Sequence, residues 1–159
     1  GEDGRDDYAV HVALAVDGDP LVGAVALPAR GLVFSTGQHL RPADIQPGRL
    51  RLLVSRTRKH PSVDSLARAL DAEVVEYGSA GAKAMAVLLG EAEIYAHAGG
   101  QYEWDSAAPV AVVRAAGLHA SRWDGGPLVY NRPDPYVADL VICHPAVARQ
   151  VLDCLAHLS

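Results

Sequence analysis

Apolar residues fall in short runs broken by turn residues over the first third of the chain. "YAVHVALAV" at 8–16 is rich in β-branched and aromatic types, "GD" at 18–19 interrupts it, and "PLVGAVAL" follows at 20–27. A further turn leads to "GLVFST" at 31–36. Strand, turn, strand, turn, strand predicts an antiparallel meander. The stretch 37–49, "GQHLRPADIQPGR", holds two prolines and two glycines and reads as a connection.

From residue 50 the rhythm changes. "LRLLVS" (50–55) reads as a buried strand, and "PSVDSLARALD" (61–71) as a helix with Pro61 and Ser62 at its start. "AEVVEY" (72–77) is strand-like, "SAGAKAMAVLLGE" (79–91) helix-like and "AEIYAHA" (92–98) strand-like again. "DSAAPVAVVRAAG" (105–117) predicts a helix closed by Gly117. "LHASRW" and "DLVICH" predict short strands, and "PAVARQVLDCLAHLS" a closing helix. Such alternation implies layered α/β packing.

Composition narrows the function. The 159 residues suit about one domain, and half are hydrophobic, enough for a core without staples. A net charge of −5 excludes a global basic field for a nucleic-acid polymer, so any anion must be bound locally. No apolar run approaches the ~20 residues of a membrane span, and no signal-peptide pattern is visible. Cys143 and Cys154 are too far apart for a CxxC pair and read as reduced thiols in a cytoplasmic protein. Seven histidines without H-x-H or H-E-x-x-H spacing argue against zinc, and no G-x-S-x-G elbow supports a serine hydrolase. His11, Tyr102 and Trp104 read as packing residues, though either aromatic could line a pocket.

Candidate chemistry lies at helix mouths. Asp105 is placed to cap the helix that follows it, and Pro109 costs little if it stays in the first turn. The small residues Ser106, Ala107 and Ala108 permit close packing against a neighbour. On its own Asp105 is either that cap or a hard oxygen ligand for Mg²⁺. In "GSAGAK" (78–83), Ser79 and Lys83 share one helix face. Amides, a hydroxyl and an ammonium would converge there, either as a phosphate site or as a capped helix with a solvated lysine. "RLRLLVSRTRKH" (49–60) carries Arg49, Arg51, Arg56, Arg58 and Lys59, a basic loop suited to phosphate or a solvated cluster.

The basic loop, "GSAGAK" and "EWDSAAP", in that order, resemble the C-terminal half of the inositol monophosphatase-like family of magnesium-dependent, lithium-sensitive phosphatases. The family hallmark W-D-x-A-[AG] is read as Trp104, Asp105, Ser106, Ala107 and Ala108. "SRTRKH", "GSAGAK" and Pro109 are similar to the 3'(2'),5'-bisphosphate nucleotidases of sulfur assimilation, especially actinobacterial ones. The resemblance implies a layered α-β-α-β-α sugar-phosphatase-like α/β fold. Residues 1–48 would end an N-terminal antiparallel sheet, and residues 49–159 would form a C-terminal α/β domain. It implies removal of a phosphate from 3'-phosphoadenosine 5'-phosphate or a related adenosine bisphosphate, with Mg²⁺ as cofactor. The rivals are inositol monophosphatase or fructose-1,6-bisphosphatase activity, and a non-catalytic phospho-ligand module. Asp105 matches the metal-binding aspartate. Thr57 and His60 resemble nucleotide contacts, Ser79 a backbone contact and Lys83 a phosphate- or nucleotide-binding lysine. Arg56 and Arg58 are added on charge alone. The partner is a small phosphorylated metabolite, with no nucleic-acid polymer and no membrane, and a homodimer stays open. The family's Glu-Glu pair and D-P-[IL]-D-G-[TS] motif do not occur in this sequence, and no catalytic residue is assigned within it. The chain is therefore expected to be the C-terminal part of a longer enzyme, with little activity by itself.

Overall fold

The computed structural model describes residues 8–57 and 59–158. The opening meander is β1 (Val10–Val16), β2 (Asp19–Leu27) and β3 (Leu32–Ser35), an antiparallel sheet in that order. Residues 37–49 hold no helix or strand. The remainder alternates: β4 (Arg51–Ser55), α1 (Pro61–Leu70), β5 (Glu73–Tyr77), α2 (Ala80–Leu88), β6 (Ile94–Tyr102), α3 (Glu103–Ala115), β7 (His119–Ser121), β8 (Tyr136–Cys143) and α4 (Ala148–Ala156). A second sheet has the order β5-β4-β6-β8-β7. Its β4 runs parallel to β5 and β6, while β8 runs antiparallel to β6 and β7.

The layers follow from alternation along the strands. Leu53, Tyr95, Leu140 and Ile142 face α2, α3 and the meander in one core. Leu52, Val54, Ile94, Val141 and Cys143 face α1 and α4 in a second. Helix α1 buries Val63, Leu66, Ala67 and Leu70, a stripe at i, i+3, i+4 and i+7. Burial pushes the Cys143 thiol up to about 12, and both cysteines are free, as the sequence suggests. Among the described residues, no helix is long and apolar enough to cross a membrane.

Small residues set the spacing between the meander and α3. A Cβ on Gly23 of β2 would meet the Ala111 Cβ at 3.1 Å and the Ala108 carbonyl oxygen at 3.2 Å. Large side chains of β1 turn the other way: Val10, Val12, Leu14 and Val16 are exposed, as is Val33 of β3. The strand predicted at 8–16 is present, but its bulky side faces out.

Three sequence expectations change. Helix α3 starts at Glu103, so Asp105 is its third residue and not the residue before it. Its carboxylate reaches back to accept from the Tyr102 amide at 3.2 Å. Pro109 therefore lies beyond the first turn. It has no N–H to give the Asp105 carbonyl four residues earlier, so the helix forgoes that hydrogen bond. Strand β6 continues past Ala98 to Tyr102, with a register shift between Ala98 and Gln101 that the apolar pattern does not foretell. Gly117 does follow the end of α3, with φ +94° and its amide on the Arg114 carbonyl at 3.0 Å.

Candidate functional site

The C-terminal ends of β4, β5 and β6 lie along one edge of the second sheet, where open α/β sheets bind ligands. Each end leads into a different device. β4 runs into the loop carrying Thr57, β5 reaches the mouth of α2, and β6 passes directly into α3. Between them is a cleft of about 180 Å³ lined by Thr57, Ser79, Lys83, Gln101 and Asp105, with Tyr95 and His97 along β6.

Ser79 caps α2: its hydroxyl accepts from the Ala82 amide at 3.1 Å. It does so with φ +53°, a conformation uncommon for a residue with a side chain. One turn on, Lys83 is only 4 % exposed. Its ammonium donates to the Tyr77 carbonyl at 3.3 Å and stands 5.2 Å from the centre of the Tyr95 ring. Both contacts offset the cost of taking a cation out of water. Of the two readings of Lys83, the solvated one gives way to a buried charge on the cleft wall.

The β6–α3 junction is fixed from three sides. The His97 Nε2–H donates to the Gly100 carbonyl at 2.8 Å, and the Tyr136 hydroxyl donates to the Gly99 carbonyl at 3.0 Å. Gly99 and Gly100 have φ of +88° and +87°. A Cβ on Gly100 would fall 1.6 Å from the Tyr136 hydroxyl oxygen, so only glycine fits. Beneath the first turn of α3, Ser106 and Tyr130 share a buried 2.8 Å hydrogen bond, and burial pushes the Tyr130 phenol up to about 12.

The sequence-predicted residues divide. Thr57, Ser79, Lys83 and Asp105 meet in the cleft. His60 does not: its Nδ1 accepts from the Ser62 amide at 3.2 Å as the cap of α1. It lines a neighbouring space of about 70 Å³ with Lys59, Asp64, Glu76 and His97. Arg56 lies on neither lining, though its charge helps hold the Glu76 carboxyl below the usual range, after the larger effect of Lys59. Arg58 lies outside the described residues. The basic loop is largely spent on ion pairs. Arg49 bonds Asp71, Arg51 bonds Glu93 and Lys59 bonds Glu76.

Two packing expectations need revision. Tyr102 and Trp104 are exposed and stacked on each other, with ring centres 4.4 Å apart and planes 7° from parallel. Trp104 borders a second cavity of about 400 Å³ with His11, Glu103, Tyr130 and Asn131. His11 does pack: a Cβ on Gly81 would lie 2.2 Å from its Nε2. Burial lowers its pKa, against the raising effects of the Trp104 carbonyl and Asp105.

Gln101, His97 and Tyr95 were not singled out from the sequence. They sit inside a strand, where a polar residue reads as one more alternation. Only the "AHAGGQY" interruption at 96–102 hinted at anything but core.

Chemically, the cleft pairs an ammonium, hydroxyls and a carboxamide with one carboxylate. The first set suits an anion rich in oxygen, and the last suits a cation beside it. Among the described residues, no group of three or more His, Cys, Asp or Glu side chains gathers as a metal site. Asp105 is a single oxygen donor, so these residues do not complete a magnesium centre.

The sequence matches the inositol monophosphatase family over residues 3–156. It is 50% identical over 162 residues to the 3'-phosphoadenosine 5'-phosphate phosphatase of Mycobacterium bovis, covering 96% of this chain and 60% of that protein. The protein of the same name from Mycobacterium leprae is 46% identical over 157 residues, covering 91% and 58%. A solved inositol monophosphatase from Zymomonas mobilis superposes with a TM-score of 0.80 at 17% identity, over 97% of this chain and 64% of that one. The chain spans about 60% of the length of the curated relatives it matches.

Proposed function

The chain belongs to the inositol monophosphatase family, and from that premise we propose that it serves a phosphomonoesterase acting on 3'-phosphoadenosine 5'-phosphate or a related bisphosphorylated nucleotide. The observation that carries this reading is the convergence of Thr57, Ser79, Lys83 and Asp105, from distant parts of the sequence, on one cleft. The name of the mycobacterial relatives supplies the substrate class.

Each group has a role in that reading. Lys83, held on Tyr95 and the Tyr77 carbonyl, supplies positive charge to a phosphate in an otherwise acidic protein. The Ser79 mouth of α2 and the Thr57 hydroxyl add donors. Asp105 would contribute one oxygen toward Mg²⁺, the cofactor we assign, while its contact with the Tyr102 amide ties off α3. In phosphoryl transfer such a metal neutralises charge on the phosphate and lowers the pKa of a bound water. Because the described residues offer it one carboxylate, the 159-residue chain alone, assayed with magnesium, is expected to release almost no phosphate from 3'-phosphoadenosine 5'-phosphate. Steady turnover by the chain alone overturns that expectation.

Substrate class is tested in the full-length protein by comparing 3'-phosphoadenosine 5'-phosphate with inositol monophosphate. Lys83→Met keeps the bulk over Tyr95 and removes the charge. Its KM for the bisphosphate should rise about 10- to 100-fold, the worth of a charge-assisted hydrogen bond, with a smaller change for the monophosphate. Equal losses for both substrates would contradict a bisphosphate site.

A further inference from the structure

Gln101 is 3 % exposed, yet it lines the cleft with Lys83 and Asp105. Its Nε2 is shut off from solvent and has no hydrogen-bond partner among the described residues. A buried amide normally finds one, and an unsatisfied donor is a standing cost to the fold. The side chain is not there for want of rigidity. It follows the Gly99–Gly100 bulge, pinned by His97 and Tyr136, and its own backbone pairs with Val137 of β8. An apolar side chain of the same length would satisfy packing at this position. A carboxamide on a backbone held stiffly at the wall of a cleft, with a donor unspent, is what a ligand contact looks like before its ligand arrives.

We propose that Gln101 is a substrate-binding residue, its carboxamide turning about its last torsion to bring the amide to the cleft and donate to a phosphate oxygen of the bound phosphoester alongside the Lys83 ammonium. The choice of an anion follows from the other groups on the lining. Thr57 and Ser79 carry hydroxyls and Lys83 a positive charge, so oxygen acceptors are the chemistry shared by all four. A neutral donor adds direction that the ammonium, a point charge, lacks. The inference rests on the phosphatase reading above and deepens it by adding a contact that no motif marks.

The test uses the full-length protein and two variants. Gln101→Met removes the donor at nearly constant shape. Its melting temperature without substrate should equal or exceed that of the parent, since an unsatisfied polar group is gone. Its KM for 3'-phosphoadenosine 5'-phosphate should rise about tenfold or more with kcat little changed. Gln101→Glu sets a carboxylate against the phosphate and should raise KM further. If Lys83→Met weakens the bisphosphate while Gln101→Met leaves KM within twofold, Gln101 is no substrate contact and the phosphatase reading stands. If neither variant alters the handling of the bisphosphate, the reading itself falls, and the inference with it. A melting temperature that drops sharply in Gln101→Met, with KM unchanged, assigns the residue to the fold and overturns the proposal.

Discussion

Glu93→Ala is expected to destabilise the fold by about 3 kcal/mol, the low end of the cost of half-breaking a buried ion pair, because the Arg51 side chain left behind is 28 % exposed. Glu93 is 4 % exposed and saturated with donors from one residue. Its Oε1 accepts from the Arg51 main-chain amide at 2.8 Å and from Nε at 3.2 Å, and its Oε2 from Nη2 at 2.5 Å. The same Nη2 donates to the Gly90 carbonyl at 2.9 Å. One side chain thus ties the start of β4 to the connection between α2 and β6. Removing the carboxylate leaves the guanidinium of this partly exposed side chain with the Gly90 carbonyl and water. A fall of roughly 10 °C in the thermal midpoint corresponds to such a loss for a chain of this size. The pair sits at the strand ends opposite the cleft, so substrate KM in the variant, measured below its melting range, should hold. A shift of less than 2 °C would show that the pair contributes little. The double variant Arg51→Met, Glu93→Leu should recover most of the loss, because neither charge is then left alone.

Asp105→Asn separates the observed helix contact of the carboxylate from its proposed metal-binding role. As the third residue of α3 it accepts from the Tyr102 amide, and an Asn carbonyl can do the same. The stability cost should therefore stay near 1 kcal/mol, from the charge lost near the helix start. A metal-binding oxygen has no such substitute. In the full-length protein, magnesium-dependent turnover should fall by about 100-fold or more, beyond the 10- to 100-fold seen when groups behind a metal ligand are changed. Turnover within threefold of the parent, with the melt unchanged, would leave Asp105 a cap and nothing else.

How far the chain could be read depended on the kind of signal. The meander, the helix stripe Val63, Leu66, Ala67, Leu70 and the closing element declare themselves through local periodicity. So did the two helix mouths that supply Ser79, Lys83 and Asp105, because capping chemistry is local in sequence. The cap of α3 lies three residues before the predicted Asp105, because a Tyr102 cap has no side-chain signature in the sequence. The pairing of Arg51 with Glu93, 42 residues apart, leaves no mark in sequence order. The readings of the Arg cluster as an anion site or a solvated cluster therefore both leave out the structural part that Arg51 plays. His60 caps α1 through Nδ1, a contact that its place in "SRTRKH" does not announce. Gln101 leaves no mark in the sequence because a polar residue inside a strand reads as one more alternation.

The stacked pair at the head of α3 has an experimental consequence. The chain has two tryptophans. Trp123 is anchored by its indole N–H to the Leu140 carbonyl at 3.1 Å, against the helix α1 and α4 side of the sheet. Trp104 is 61 % exposed, lies flat on Tyr102 and is bonded directly to Asp105. Emission from the two indoles therefore divides into a shielded component that follows global unfolding and a solvated one that reports on events at the α3 mouth. The protein carries its own optical probe one peptide bond from the carboxylate in question.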